Sequence, residues 1–189
     1  MDSKLQIISG AHRGRKLYLP AGARPTQNLA RAAIFNMLTG LAFDGQNLVA
    51  WDAFAGSGAL GIEVLSRNPK STVIFTDTSD DSIAVVQKNI TQLGLDWARY
   101  KIDKSDALDR IWKYGPRANL VFVDPPYSNA QTGIDFVRNL IPKVRAGTLV
   151  VQEIESSVPY APDETKWTVL RDKKYGRARF LILRRNDNK

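Results

Sequence analysis

Short apolar runs alternate with helix-like segments through most of this chain, and that alternation restricts its fold more than any other feature. Leu48–Trp51, Thr72–Phe75, Leu120–Val123 and Thr148–Val151 read as buried strands, with a weaker one around Ala98–Ile102. A helix is expected over Ala59–Ser66, and another begins near Asp80, capped by Ser79 or Asp80. The pattern predicts an α/β domain with a mainly parallel, doubly wound sheet, whose ligands bind beyond the carboxyl ends of the strands. Trp167–Leu170 and Phe180–Leu183 close the chain as a hairpin turning at Tyr175-Gly176, which predicts an antiparallel pair at one edge. At the start, Leu5–Ile8 and Lys16–Leu19 flank a turn region over Gly10–Arg15 and read as a further β-hairpin. Pro25 then opens a helix-like stretch with Leu29, Ala33, Phe35 and Leu38 on its apolar face and Gly40 as its stop. Residues 1–40 are thus expected to form a small N-terminal extension, and residues 41–189 the main domain.

A length of 189 residues suits that plan. No apolar run reaches the roughly 18–20 residues needed to span a bilayer, and no signal-peptide core follows Met1, so a cytoplasmic protein away from membranes is expected. Cysteine is absent and His12 is the single histidine, which removes disulfides and thiolate sites and leaves no metal expected. A monomer is expected. The net charge of +8 is unevenly spread: +5 over residues 1–31, −4 over 32–165 and +7 over 166–189. Basic ends around an acidic middle suit a nucleic-acid partner, with a merely solvated surface as the alternative.

Asp52-Ala53-Phe54-Ala55-Gly56-Ser57-Gly58-Ala59-Leu60-Gly61 follows the first of these strands and enters a helix. Its glycines permit a tight turn and close approach of backbone to a ligand. Gly56, Gly58 and Gly61 match the dinucleotide fingerprint, and Asp77 lies about where such an enzyme places its ribose-binding acid. Electrostatics points elsewhere. Asp52 at the strand end would repel a pyrophosphate, whereas it would attract the ammonium and sulfonium groups of S-adenosylmethionine. A ligand-free glycine turn is the third possibility. Phe54, Gly56, Ser57 and Gly58 are the candidate cofactor contacts of the loop. Asp77 with Thr78 is placed to meet ribose hydroxyls, and Asp106 with Ala107 to meet an adenine amino group; helix capping is the alternative for each acid.

Asp124-Pro125-Pro126-Tyr127 directly follows the strand over Leu120–Val123 and is the most specific signal in the chain. An exocyclic base nitrogen is a poor nucleophile, because its lone pair is delocalised into the ring. The Asp124 carboxylate and the Pro125 carbonyl can each accept a hydrogen bond from that amino group, and two prolines stiffen the turn that presents them. Tyr127 can stack on an extruded base. A rigid loop with Asp124 as a cap is the alternative.

These motifs together resemble the bacterial 16S ribosomal RNA guanine-N2 methyltransferase family known as RsmD. The likeness runs from Ile7-Ile8-Ser9-Gly10, Arg13-Gly14-Arg15-Lys16-Leu17 and Arg24-Pro25-Thr26 through Phe35-Asn36, the glycine loop and Leu65-Ser66-Arg67 to Asp124-Pro125-Pro126-Tyr127. It implies a seven-stranded, Rossmann-like class I methyltransferase fold using S-adenosyl-L-methionine and releasing S-adenosyl-L-homocysteine. The implied substrate is a guanine of 16S rRNA in the small ribosomal subunit or its assembly intermediate. The N-terminal hairpin and helix would then help hold RNA over the active site, with Arg13, Arg15, Lys16, Arg24 and Arg31 suited to phosphate contacts. The chain departs from the family pattern at Asn28, Leu29 and Ala32, and Thr76 stands where a Glu is usual, one residue before Asp77. Two competing activities use the same tetrapeptide: methylation of adenine N6 in DNA and methylation of glutamine side chains in protein. A non-catalytic RNA-binding or assembly protein is the third competitor.

Overall fold

The computed structural model describes residues 5–22, 28–39, 41, 47–126 and 130–187. Among the described residues five α-helices and seven strands follow one another: α1 (Asn28–Thr39), β1 (Val49–Asp52), α2 (Ala59–Arg67), β2 (Thr72–Asp77), α3 (Asp80–Leu93), β3 (Tyr100–Lys104), α4 (Ala107–Tyr114), β4 (Leu120–Val123), α5 (Ala130–Leu140), β5 (Leu149–Glu155), β6 (Trp167–Tyr175) and β7 (Ala178–Arg185). The strands form one sheet in the order β3-β2-β1-β4-β5-β7-β6. β1 to β5 are parallel, while β7 runs antiparallel between β5 and β6. The expected closing hairpin is present, with Gly176 at φ 60° in its turn. Because β7 is antiparallel to both of its neighbours, β6 runs in the same direction as β1–β5, and its Tyr175 end lies at the carboxyl edge of the sheet.

Alternating side chains divide between two cores. Ala50, Phe75, Phe122 and Ile182 face one side with α1, α2 and α3. Trp51, Val121, Val123 and Leu181 face the other with α4 and α5. All four residues of β4 are buried, as a central parallel strand covered on both faces requires. Gly61 lets α2 approach the sheet: a Cβ there would lie 2.3 Å from Phe75 Cε1.

The N-terminal segment shares the main core. Leu5, Ile7, Leu17, Ile34, Phe35 and Leu38 are buried in the same cluster as Phe122 and Phe180. The hairpin itself is irregular, with a single bridge, Gln6 to Lys16; Arg13, Gly14 and Arg15 N–H donate within the turn, while Ile8, Ser9, Ala11 and His12 N–H donate to the domain. Buried Glu63 accepts from Ile8 N–H at 2.8 Å and Ser9 N–H at 2.9 Å. Gly10, at φ 84°, sits where a Cβ would come within 2.0 Å of the Ser66 carbonyl oxygen. On α1 the buried residues are Ala30, Arg31, Ile34, Phe35 and Leu38. Leu29 is 73% exposed, so the apolar face is rotated from the expected one, because Arg31 occupies an inward position. Gly40 lies outside the described residues.

Candidate active site

Asp52 ends β1 and stands in register with Phe75 of β2 and Phe122 of β4. Asp77 and Asp124 each lie two residues farther along those neighbouring strands, so three carboxylates converge where the strand order reverses. Asp52 is 2% exposed and accepts a hydrogen bond from Gly61 N–H at 3.0 Å. Burial pushes its carboxyl up to about 8; the Gly61 hydrogen bond opposes this, and the charges of Asp124 and Asp77 add to it.

The glycine loop is folded around Asp77. One oxygen of that side chain accepts from Gly56 N–H at 2.8 Å, the other from Ser79 N–H at 2.9 Å. Gly56 at φ 52° and Gly58 at φ 76° supply the left-handed turns. Nothing lies within 4 Å of a Cβ built on Gly56, so one side of the loop is open; a Cβ on Gly58 would press on Val86 and Ile62. Phe54 packs edge-on against Phe136 of α5, with centroids 5.4 Å apart. Thr76 is fully buried, donating to the Ala53 carbonyl at 2.8 Å and accepting from Trp51 Nε1 at 2.9 Å. Asp77 is therefore the acid at the open end of β2, and Thr78 beside it is exposed. Asp106 follows β3, is exposed, and caps α4 through Leu108 N–H at 2.8 Å. Ala107 is buried.

Asp124 is half-buried, Pro125 buried and Pro126 exposed; Tyr127 lies outside the described residues. Pro125 is held by a residue the sequence reading did not single out. Gly133 of α5 lies so close that a Cβ would come to 2.8 Å from Pro125 Cγ. A glycine within a helical segment shortly after the tetrapeptide was the available signal. Asn89 of α3 was missed too. It is wholly buried and joins the Ser57 carbonyl to the backbone of Tyr18.

Of the basic residues expected to grip RNA, those described are not gathered at this site. Arg31 is 0% exposed, which corrects its expected role: it cannot reach a phosphate at the surface. Its Nη2 donates to the Gln6 carbonyl and to Asn28 Oδ1, its Nε and Nη1 have no hydrogen-bond partner, and burial lowers its pKa. Arg13, Arg15 and Lys16 are exposed, but their turn is docked at the carboxyl ends of α2 and α3. Ala11 N–H donates to the Ser66 carbonyl, and Arg15 Nη2 to that of Gln92 at 2.9 Å. Both helices run away from the loops that start them, so this turn sits at the edge of the sheet opposite Asp124. The expectation that it overlies the active site therefore gives way to a surface roughly one helix length, about 20 Å, away. Arg24 lies outside the described residues. Among the described residues no group of three or more His, Cys, Asp and Glu is arranged to hold a metal ion, and no helix is long and apolar enough to cross a membrane.

Relatives share this arrangement across almost the whole chain. Ribosomal RNA small subunit methyltransferase D of Escherichia coli (strain K12) is 34% identical over 192 residues, covering 97% of this chain and 91% of the relative. The solved structure of yhhF from Escherichia coli superposes with a TM-score of 0.79 at 29% identity, covering 97% of this chain and 99% of the other. Trm1 from Pyrococcus horikoshii, solved with S-adenosyl-L-methionine, has a TM-score of 0.71 at 14% identity, covering 91% of this chain and 59% of the other; at that identity it shows the shared fold alone. The sheet is that of the Rossmann-like, seven-stranded methyltransferases. The family model described as Conserved hypothetical protein 95 matches residues 5–184, and the chain belongs to that family, the RsmD methyltransferases.

Proposed function

We propose that this protein transfers a methyl group from S-adenosyl-L-methionine to the exocyclic N2 of a guanine in 16S rRNA. Its partner is then the small ribosomal subunit or an assembly intermediate, met in the cytoplasm. The observation that carries the reading is the convergence of Asp52, Asp77, the Gly56–Gly58 turn and Asp124-Pro125 at the carboxyl ends of three adjacent strands. Support for small-subunit ribosomal RNA as the substrate comes from the name of the E. coli relative, and guanine N2 as the acceptor is what the resemblance to the RsmD family implies.

The residues fit such a cofactor. Asp52 is a buried carboxyl beside two further acids, an environment that favours a cationic ligand and disfavours a pyrophosphate. Gly56 leaves an open side of the loop, suited to close backbone approach. Each Asp77 oxygen takes one backbone hydrogen bond and has a second acceptor position for a ribose hydroxyl. Asp106 can cap α4 and still accept from an adenine amino group. When bound, the cofactor supplies a methyl group on a sulfonium, already a good leaving group.

The protein's own contribution is to orient the target nitrogen. The Asp124 carboxylate and the Pro125 carbonyl accept hydrogen bonds from the amino group and hold its lone pair toward the methyl. As positive charge develops on the nitrogen, both acceptors interact with it more strongly, and Asp124 is placed to take the departing proton. Tyr127 would stack on the extruded base.

Incubation with methyl-labelled S-adenosylmethionine and unmodified small subunits, naked 16S RNA and duplex DNA in parallel tests this. Label in N2-methylguanosine from the particle or its RNA is the expected result. N6-methyladenine in DNA would retain the chemistry and overturn the substrate. Cofactor binding with no labelled nucleic acid would point to protein or another acceptor.

A further inference from the structure

Among the described residues the strongest concentration of basic charge near the catalytic edge belongs to the β6–β7 hairpin. β6 is an edge strand with its carboxyl end at the same edge as Asp52, Asp77 and Asp124. Its distal half carries Arg171, Lys173 and Lys174, all exposed, and none forms an ion pair with a described residue. The acids nearby are already engaged: Asp172 is paired with Arg179 at 2.7 Å and Glu155 with Arg177 at 2.6 Å. Arg171 Nη1 makes only a local bond to the Leu170 carbonyl. Tyr175, 36% exposed, ends the strand and packs against Phe180 with centroids 6.0 Å apart.

Charged side chains on an edge strand commonly serve to prevent pairing between sheets. That role would place charge along the whole edge. Here the near half, Trp167-Thr168-Val169-Leu170, has none, and a register shift between Val169 and Arg171 already breaks the edge. Within β6 the charge is confined to the half nearer the catalytic loop. β6 is the third strand from β4, so the hairpin tip stands roughly 14 Å to the side of Asp124. That separation matches nucleotides flanking a base held at Asp124. The directions alternate as well: Arg171, Lys173 and Tyr175 pair with Ile182, Phe180 and Ala178 and so lie on the α1 side of the sheet, whereas Lys174 lies on the other.

We propose that the distal half of β6, through Arg171, Lys173 and Lys174, is the RNA-backbone contact that seats the substrate strand at the catalytic edge. This rests on the reading of the protein as an enzyme acting on ribosomal RNA. It shifts the principal RNA grip from the N-terminal turn to the C-terminal hairpin, and gives three of the nine cations of residues 166–189 a partner.

The test is a triple variant, Arg171→Gln, Lys173→Gln and Lys174→Gln, with Lys70→Gln, Arg117→Gln and Arg145→Gln on the opposite edge of the sheet as a charge-matched comparison. Binding of 16S RNA and of the unmodified small subunit is measured against salt concentration, with methyl transfer and cofactor binding alongside. The expected result is a salt slope reduced by roughly two units in the triple variant, since each lost phosphate contact removes about 0.7–0.9. A KM for RNA raised at least about tenfold, with the cofactor dissociation constant unchanged, is expected with it. The comparison variant should keep the wild-type slope. Wild-type binding with an unchanged slope in the triple variant, its thermal unfolding intact, would overturn the proposed surface while leaving the ribosomal RNA reading standing. Failure of the wild-type protein to methylate both 16S RNA and the unmodified small subunit would overturn both.

Discussion

Asn89 donates through Nδ2 to the Ser57 carbonyl at 2.9 Å, linking the middle of the glycine loop to α3. The same side chain exchanges two hydrogen bonds with the backbone of Tyr18, at 2.7 and 3.1 Å, so the N-terminal segment and the loop share one buried strut. Replacing it by alanine leaves buried backbone groups without partners. We expect Asn89→Ala to lower stability by about 2–4 kcal/mol and to weaken cofactor binding by roughly tenfold. Denaturant unfolding and titration calorimetry check both. Unchanged cofactor affinity in the folded variant would reduce Asn89 to a purely structural tie.

Asp52 makes the free protein sensitive to pH. Its folded pKa, about 8, lies above the usual carboxylate value, so between about pH 4 and 8 the folded state binds the proton and the unfolded state does not. The contribution is fully present at acid pH and is lost as pH rises through 8, at up to about 1.4 kcal/mol per unit. Asp52→Asn should flatten this slope. A cationic ligand favours the ionised carboxylate, so cofactor binding at pH 7 should release close to one proton. Calorimetry in buffers of differing ionisation enthalpy reads this directly, and a buffer-independent heat would contradict it.

Asp124→Ala should reduce methyl transfer by roughly 10²–10³-fold, the usual cost of losing one oriented electrostatic group, while cofactor affinity stays within about threefold. Asp124→Asn keeps a carbonyl acceptor and should fall between. Single-turnover rates with saturating cofactor make the comparison. Near-normal turnover of the alanine variant would remove Asp124 from the reaction.

Gly133→Ala separates helix stability from loop position. Alanine suits a helix interior better than glycine by about 1 kcal/mol. Its Cβ, however, would meet Pro125 Cγ at 2.8 Å and Cδ at 3.3 Å. The loop must shift, and we expect turnover to fall roughly 10- to 100-fold with cofactor binding intact and no gain in melting temperature. A more stable variant with full activity would show that Pro125 has room to move.

Arg31→Met removes a buried cation with two unpartnered nitrogens. RNA binding should keep its salt slope, because no surface phosphate contact is lost. A slope reduced by about one unit would return Arg31 to the RNA surface.

Most of the secondary structure was legible because strand and helix periodicity are local. Val49–Asp52, Thr72–Asp77, Leu120–Val123 and Leu149–Glu155 lie within a residue or two of expectation at their starts, and Ser79 is the cap of α3. The loop motifs were legible for a related reason: in parallel α/β sheets whatever follows a strand arrives at the same edge. Asp52, Gly56, Asp77 and Asp124 could thus be assigned to one site from their position after strands. The face of α1 was misread because a buried arginine looks like a surface residue in sequence. Arg31 is held inside by the Gln6 carbonyl and Asn28, partners that periodicity does not reveal.

The sequence by itself determined the fold class, the strand-ending acids, the glycine turn and the Asp-Pro-Pro-Tyr loop, since each depends on residues adjacent in the chain. Only the tertiary structure decided which charges face which edge. The N-terminal turn is drawn to the far ends of α2 and α3 by Glu63, Ser66 and Gln92, more than fifty residues away in sequence. The β6 lysines reach the catalytic edge because β7 inserts antiparallel between β5 and β6. Both placements come from hydrogen bonds between distant segments, and no local pattern encodes the direction in which a surface charge will finally point.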